Sequence, residues 1–138
     1  MATEENKAIV RRWFEEVWNQ RNVAAIDALA AESFTLHHVA LPSAIDLQTY
    51  KHYHPAFMAA FPDFHVEIDD IIAEGDRVAV RFTQRATHQG ELMGIPPSGK
   101  QVTQPGLAIY RVEGGNLVEA WAAEPAWQQT LTDLAASS

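Results

Sequence analysis

The chain has 138 residues, eighteen acidic against ten basic, with no cysteine and 47% hydrophobic residues. This length fits one domain over residues 1–138, able to bury a core and still enclose a modest cavity. A formal charge of −8 argues against nucleic acid or an anionic membrane surface as the natural partner, and the lack of cysteine removes disulfides, thiol nucleophiles and sulfur-ligated zinc.

Near the N-terminus, Ile9, Val10, Trp13, Phe14, Val17 and Trp18 draw one broad apolar stripe at helical spacing, with Lys7, Arg11, Arg12, Glu15 and Glu16 outside it. Thr3 suits the N-cap, and Glu4 and Glu5 suit the positive end of that helix. These acidic residues, with no uninterrupted apolar run, suggest neither a signal peptide nor a membrane span, so the cytoplasm is the default compartment. A short second helix starts at Asn22 and carries Val23, Ile26 and Leu29. A third begins after Asp46 and runs toward Phe61, with Leu47, Tyr50, His54, Phe57, Met58 and Phe61 on its apolar side. Pro55 lies inside that run, and predicts a kink or two short helices meeting at His54.

After Pro62 the period changes from helical to alternating. Phe64, Val66 and Ile68 oppose His65, Glu67 and Asp69; Glu74-Gly75-Asp76 reads as a hairpin turn; Val78, Val80 and Phe82 start the next strand. The Gly- and Pro-rich stretch 90–100 must be a loop, and strands over Gln101–Val112 and Leu117–Ala123 flank a turn at Gly114-Gly115-Asn116. Helices followed by an antiparallel meander predict an α+β domain, its helices covering one face of a curved sheet.

The six histidines do not form a metal motif. His52 and His54 are two apart, which on a helix turns them away from each other, and His37 and His38 would face opposite sides of a strand. His88 shares parity with Val78, Val80 and Phe82 and should lie on the concave, apolar face. An imidazole there can move a proton near neutrality, or simply hydrogen-bond a carbonyl in the core. His52 and His65 read as solvent-facing.

Three stretches carry a resemblance: NKAIVRRWFEEVWNQRNVAAIDALAAESFTLHH, AAFPDFHVEIDDIIAEGDRVAVRFTQRATHQGELMGIPPSGK and IYRVEGGNLVEAW. From about Asn6 to Trp121 they resemble the SnoaL-like polyketide (ester) cyclases of the NTF2-like superfamily. The resemblance implies a cone-shaped α+β barrel, usually paired as a homodimer, with a pocket between helices and sheet. It also implies cofactor-free, metal-free acid/base catalysis of ring closure on a small apolar carbonyl compound of polyketide type. Relatives of this fold isomerise, dehydrate, hydrolyse or only bind, so reaction transfers less well than fold.

Carried over residue by residue, His88 matches the histidine of the family's TH-G motif and His37 the one in its F-x-x-H context. The family's acid/base is an aspartate four residues after its tryptophan, here Trp121, yet that position holds Pro125. Glu124, one position earlier, is the substitute carboxylate, and burial would raise its pKa toward a useful range. The expected catalytic set is therefore Glu124, His88 and His37. His38, Tyr50, His54, Phe57, Met58, Met93 and Trp121 would line the substrate, with Met93 in a stiff loop over the pocket mouth. Glu119 shares parity with Trp121 and Leu117 and reads as an ion-pair partner of Arg81 or Arg111.

Overall fold

The computed structural model describes residues 2–38, 41–92 and 94–123. Helix α1, Ala2–Arg12, continues into a wider π-helical segment, Trp13–Asn19, whose end is marked by the Gln20 N–H reaching back five residues to the Glu15 carbonyl. The continuous stripe in the sequence predicts one uniform helix; the turn widens instead where Trp13, Phe14 and Val17 are all buried. The segment is held by its last residues. The Trp18 indole donates to the Tyr50 hydroxyl, and the Asn19 side-chain amide both donates to the carbonyl and accepts from the N–H of Val66.

Helix α2, Ala24–Leu29, buries Ala25, Ile26 and Leu29, and the Asn22 side chain accepts from the Ala24 N–H at its start. Strand β1, Ala30–His38, and the two-residue β2, Ile45–Asp46, follow. Helix α3, Leu47–Ala60, is N-capped by Asp46, whose carboxylate accepts from the Thr49 N–H. This helix runs unbroken through Pro55, where two shorter helices are an alternative expectation. A proline inside a helix costs roughly 3 kcal/mol, and the far end of α3 is unusually well held. Arg21, in the left-handed region at φ 59°, donates to the Met58 carbonyl, and the N–H groups of Gln89 and Gly90 donate to that of Ala60.

Strands β3 (His65–Glu74), β4 (Arg77–Thr87), β5 (Gln101–Glu113) and β6 (Asn116–Ala123) form the predicted antiparallel run. The whole sheet has the order β2-β1-β6-β5-β4-β3 and does not close, so the cone is an open, curved sheet covered by helices. One pairing is not a meander: β1 runs parallel to β6.

Register separates two faces. Val78, Val80, Phe82, Ala108, Tyr110, Val112 and Ala120 are buried against the helices, as period-2 alternation predicts. On β6 the alternation breaks, because Val112 faces Leu117 while Arg111 faces Glu119. The extra residue, Val118, turns Leu117 into the core and leaves Glu119 and Trp121 on the opposite side. Shared parity of Leu117 with Glu119 is thus corrected by a bulge.

Candidate functional site

The interior holds a file of rings. Trp13 meets Tyr50, Tyr50 meets Trp18, Trp18 meets His54 and Phe57, Phe57 meets Phe61, and Phe61 meets His88, at centroid separations of 5.0–5.9 Å. Beside its far end is a cavity of only about 10 Å³ bounded by Phe57, Phe61, Phe64, Gln84, Ala86 and Val102. That is barely one water.

Two buried histidines sit on this file and do different things. His54, 2% exposed, has its Nε2 2.6 Å from the Val17 carbonyl, to which it donates. Burial lowers its pKa, only partly opposed by that hydrogen bond, so it is a neutral core residue that satisfies the π-segment. His88 is fully buried just beyond β4, as its parity predicts. Its Nδ1 receives the Ser98 N–H at 3.2 Å and lies 2.9 Å from the Ser98 hydroxyl. An N–H aimed at Nδ1 requires that nitrogen to be an acceptor, which places the ring proton on Nε2. This Nε2 is buried and has no hydrogen-bond partner among the described residues.

The surroundings of His88 are anchored from three directions. The Asp63 carboxylate accepts from both the N–H and the hydroxyl of Thr87, each at 2.7 Å, and these bonds hold its pKa below the usual carboxylate range. The loop after His88 folds back so that His88 donates to the Lys100 carbonyl and Gly99 donates to that of His88. Gly90 passes so close to α3 that a Cβ would stand 2.4 Å from the Ala59 carbonyl oxygen. Asp63, Gly90 and Ser98 all lie within the FPD…THQGELMGIPPSGK block that carries the resemblance, yet their supporting roles depend on tertiary contacts that spacing does not reveal.

A much larger opening lies on the opposite face of the sheet. It is a groove of about 710 Å³ lined by His37, His38, Ile72, Ala79, Arg81, Leu107, Ile109, Trp121 and Ala123, among others. Cross-strand register sets Ile72, Ala79, Ile109, Trp121 and His37 in one row over five strands. The His37 and Trp121 rings stack at 5.5 Å and 12°, and the Arg77 guanidinium lies 5.1 Å from the Trp121 ring. His37 Nε2 is 2.8 Å from a Glu119 carboxylate that Arg111 also binds; the His37 contact is the main cause that lowers the Glu119 pKa.

The candidate residues are therefore not one constellation. Tyr50, His54, Phe57, Met58 and His88 belong to the interior, whereas His37 and Trp121 belong to the outer groove and do not meet His88. His38 borders the groove beside His37. His52 and His65 are exposed, as read from the sequence. Glu124 and Met93 lie outside the described residues. Among the described residues, no three His, Cys, Asp or Glu side chains are grouped to hold a metal ion, and no helix is long and apolar enough to cross a membrane.

Comparison with known proteins agrees with this fold. The family model of the SnoaL-like polyketide cyclases matches residues 8–127. The chain belongs to that family. Among solved structures it is similar to AclR, a proposed hydroxylase from Streptomyces galilaeus (29% identity, 96% of this chain and 82% of that one, TM-score 0.83). It is also similar to a proposed polyketide cyclase from Acidithiobacillus ferrooxidans (28% identity, 97% and 96%, TM-score 0.82). A SnoaL-like protein from Jannaschia sp. CCS1 shares the fold at 20% identity (99% and 95%, TM-score 0.88). No curated protein sequence matches.

Proposed function

We propose that the protein is a cyclase or isomerase that moves a proton next to a carbonyl group in the interior, with His88 and Glu124 as its catalytic residues. The observation that carries this reading is the buried Nε2 of His88, which has no hydrogen-bond partner among the described residues. A buried donor without an acceptor costs about 1–3 kcal/mol, a cost that a ligand oxygen would remove. In the reaction, the Glu124 carboxylate takes a proton from carbon α to the carbonyl of an apolar polyketide-type ester. The developing enolate oxygen accepts a hydrogen bond from His88 Nε2–H. The enolate carbon then attacks a second carbonyl, a C–C bond forms, and the resulting alkoxide recovers the proton from Glu124.

The small interior volume requires the aromatic wall to move for a substrate to enter. That requirement, with Pro125 where the family has its aspartate, supports a second reading in which the same interior binds a small molecule without turnover. Incubation with a panel of polyketide methyl esters separates the two. Ring closure that is lost in Glu124→Gln and in His88→Ala supports the enzyme; tight binding with no product supports the binding protein and contradicts the cyclase.

The outer groove supports a different role, pairing of two copies into a homodimer. Its apolar row is flanked by charged rows, Glu74–Arg77–Arg111–Glu119 on one side and Asp70–Arg81 on the other. An apolar centre with a polar rim is the make-up of a protein interface. Light scattering on the wild type should give twice the chain mass, and a monomer at micromolar concentration would contradict this assignment.

A further inference from the structure

Ser98 is not among the residues that the motif reading assigns to chemistry, yet it makes every polar contact that the described residues offer to the His88 ring. We propose that Ser98 is a positioning residue that holds His88 in its Nε2–H tautomer, so that His88 serves as a fixed hydrogen-bond donor to a ligand oxygen and not as the base. This rests on the reading of the interior as the site.

The argument is one of hydrogens. Ser98 offers its backbone N–H to Nδ1 at 3.2 Å, and a backbone amide cannot reverse its role. Its hydroxyl accepts from the Lys100 N–H at 3.3 Å and keeps its own hydrogen available for Nδ1, 2.9 Å away, once the amide has made that nitrogen an acceptor. Both contacts favour an unprotonated Nδ1. The backbone pair between His88, Gly99 and Lys100 keeps Ser98 in register with the ring, and Pro96-Pro97 restrict the loop that delivers it. The consequence reaches the mechanism. A ring with its proton on Nε2 can polarise a carbonyl or hold an enolate oxygen, but it cannot remove a proton from carbon with that nitrogen. The base must be another group.

The test reads the tautomer first and turnover second. In protein labelled with 15N-histidine, long-range proton–nitrogen correlations at neutral pH should give His88 an unprotonated Nδ1 and a protonated, exchange-protected Nε2. An Nδ1–H tautomer or an imidazolium would overturn the proposal, whatever the protein catalyses. Addition of 4-nitrophenolate, an apolar ring with a delocalised oxyanion, should shift the Nε2–H resonance downfield. A response confined to the Trp121 indole, with His88 unmoved, would count against the donor role.

Ser98→Ala keeps the N–H and loses the hydroxyl, and should reduce kcat about tenfold or more with KM little changed. Ser98→Thr should restore it. Equal loss in both variants, with the His88 tautomer unaltered in each, would reduce Ser98 to a structural residue. If the wild type turns over no ester at all, the cyclase reading fails, while the nitrogen shifts still decide the role of Ser98.

Discussion

Along β5, Ala108 and Tyr110 are buried against the helices, while Leu107 and Ile109, each one residue away, are 57% and 42% exposed. Across the sheet the same contrast repeats, with apolar side chains on both faces and only one face covered. The inner face is closed by three helices and contains polar groups that are few, buried and individually anchored. The outer face is open, and its polar groups pair with one another: Arg81 with Asp70, Arg111 with Glu119 and Glu113, His37 with Glu119. Satisfied charges around uncovered apolar side chains suit association. A buried histidine with one nitrogen anchored and the other without a partner among the described residues suits a ligand. Exposure and cavity size would have pointed to the outer groove; hydrogen-bond accounting points to the interior.

The largest expected effect tests the inner face. Gly90→Ala places a methyl group against a backbone carbonyl that cannot rotate away, and should destabilise the fold by about 3 kcal/mol, seen as a drop in the urea midpoint. An unchanged midpoint would mean that the loop does not lie against α3 as described. Next, Ile109→Asp should split the proposed homodimer into monomers, measured by light scattering, while its Tm stays within a few degrees. A dimer that survives both this change and Leu107→Asp would remove the outer face from the assembly.

A smaller effect is expected from Asp63→Ala. The carboxylate is exposed, so screening limits the loss to about 1 kcal/mol, but Thr87 would lose both of its acceptors. Because the Asp63 pKa is depressed in the fold, its contribution is present above the unfolded value near 3.8 and fades as pH falls through the folded one. The variant should therefore lose less stability on acidification than the wild type.

The smallest effect concerns His54. Its folded pKa lies below the unfolded value of about 6.5, so the unfolded chain binds more protons as pH drops, and stability should begin to fall below that point. Thermal melts of His54→Gln between pH 7 and 5 should show a flatter dependence. A wild-type slope identical to that of the variant would place a charged His54 in the core.

The helices, four of the strands, the inner parity and the family were legible because each rests on local period or on an ordered run of motifs. His88 was legible for the same reason: it continues the alternation of Val78, Val80 and Phe82. Trp121 and Glu119 were not, because the bulge at Val118 shifts the phase by one residue and nothing in NLVEAW marks it. Strand β1 was seen only at His37 and His38, since its parallel partner β6 is more than eighty residues away. The split between His37 and His88 follows from that pairing. Ser98 and Asp63 act through neighbours brought together only by the fold, and their spacing in sequence carries no signal of it.

The contrast between the two faces is tested most directly by one assay of ring closure on a polyketide methyl ester, run with His88→Ala and Ile109→Asp side by side after circular dichroism has shown both to be folded. Loss of an oxyanion donor should reduce kcat by about a hundredfold or more in the first, while the second stays within a few-fold of the wild type. Activity that survives in His88→Ala and disappears in Ile109→Asp would move the chemistry to the outer groove and contradict the account.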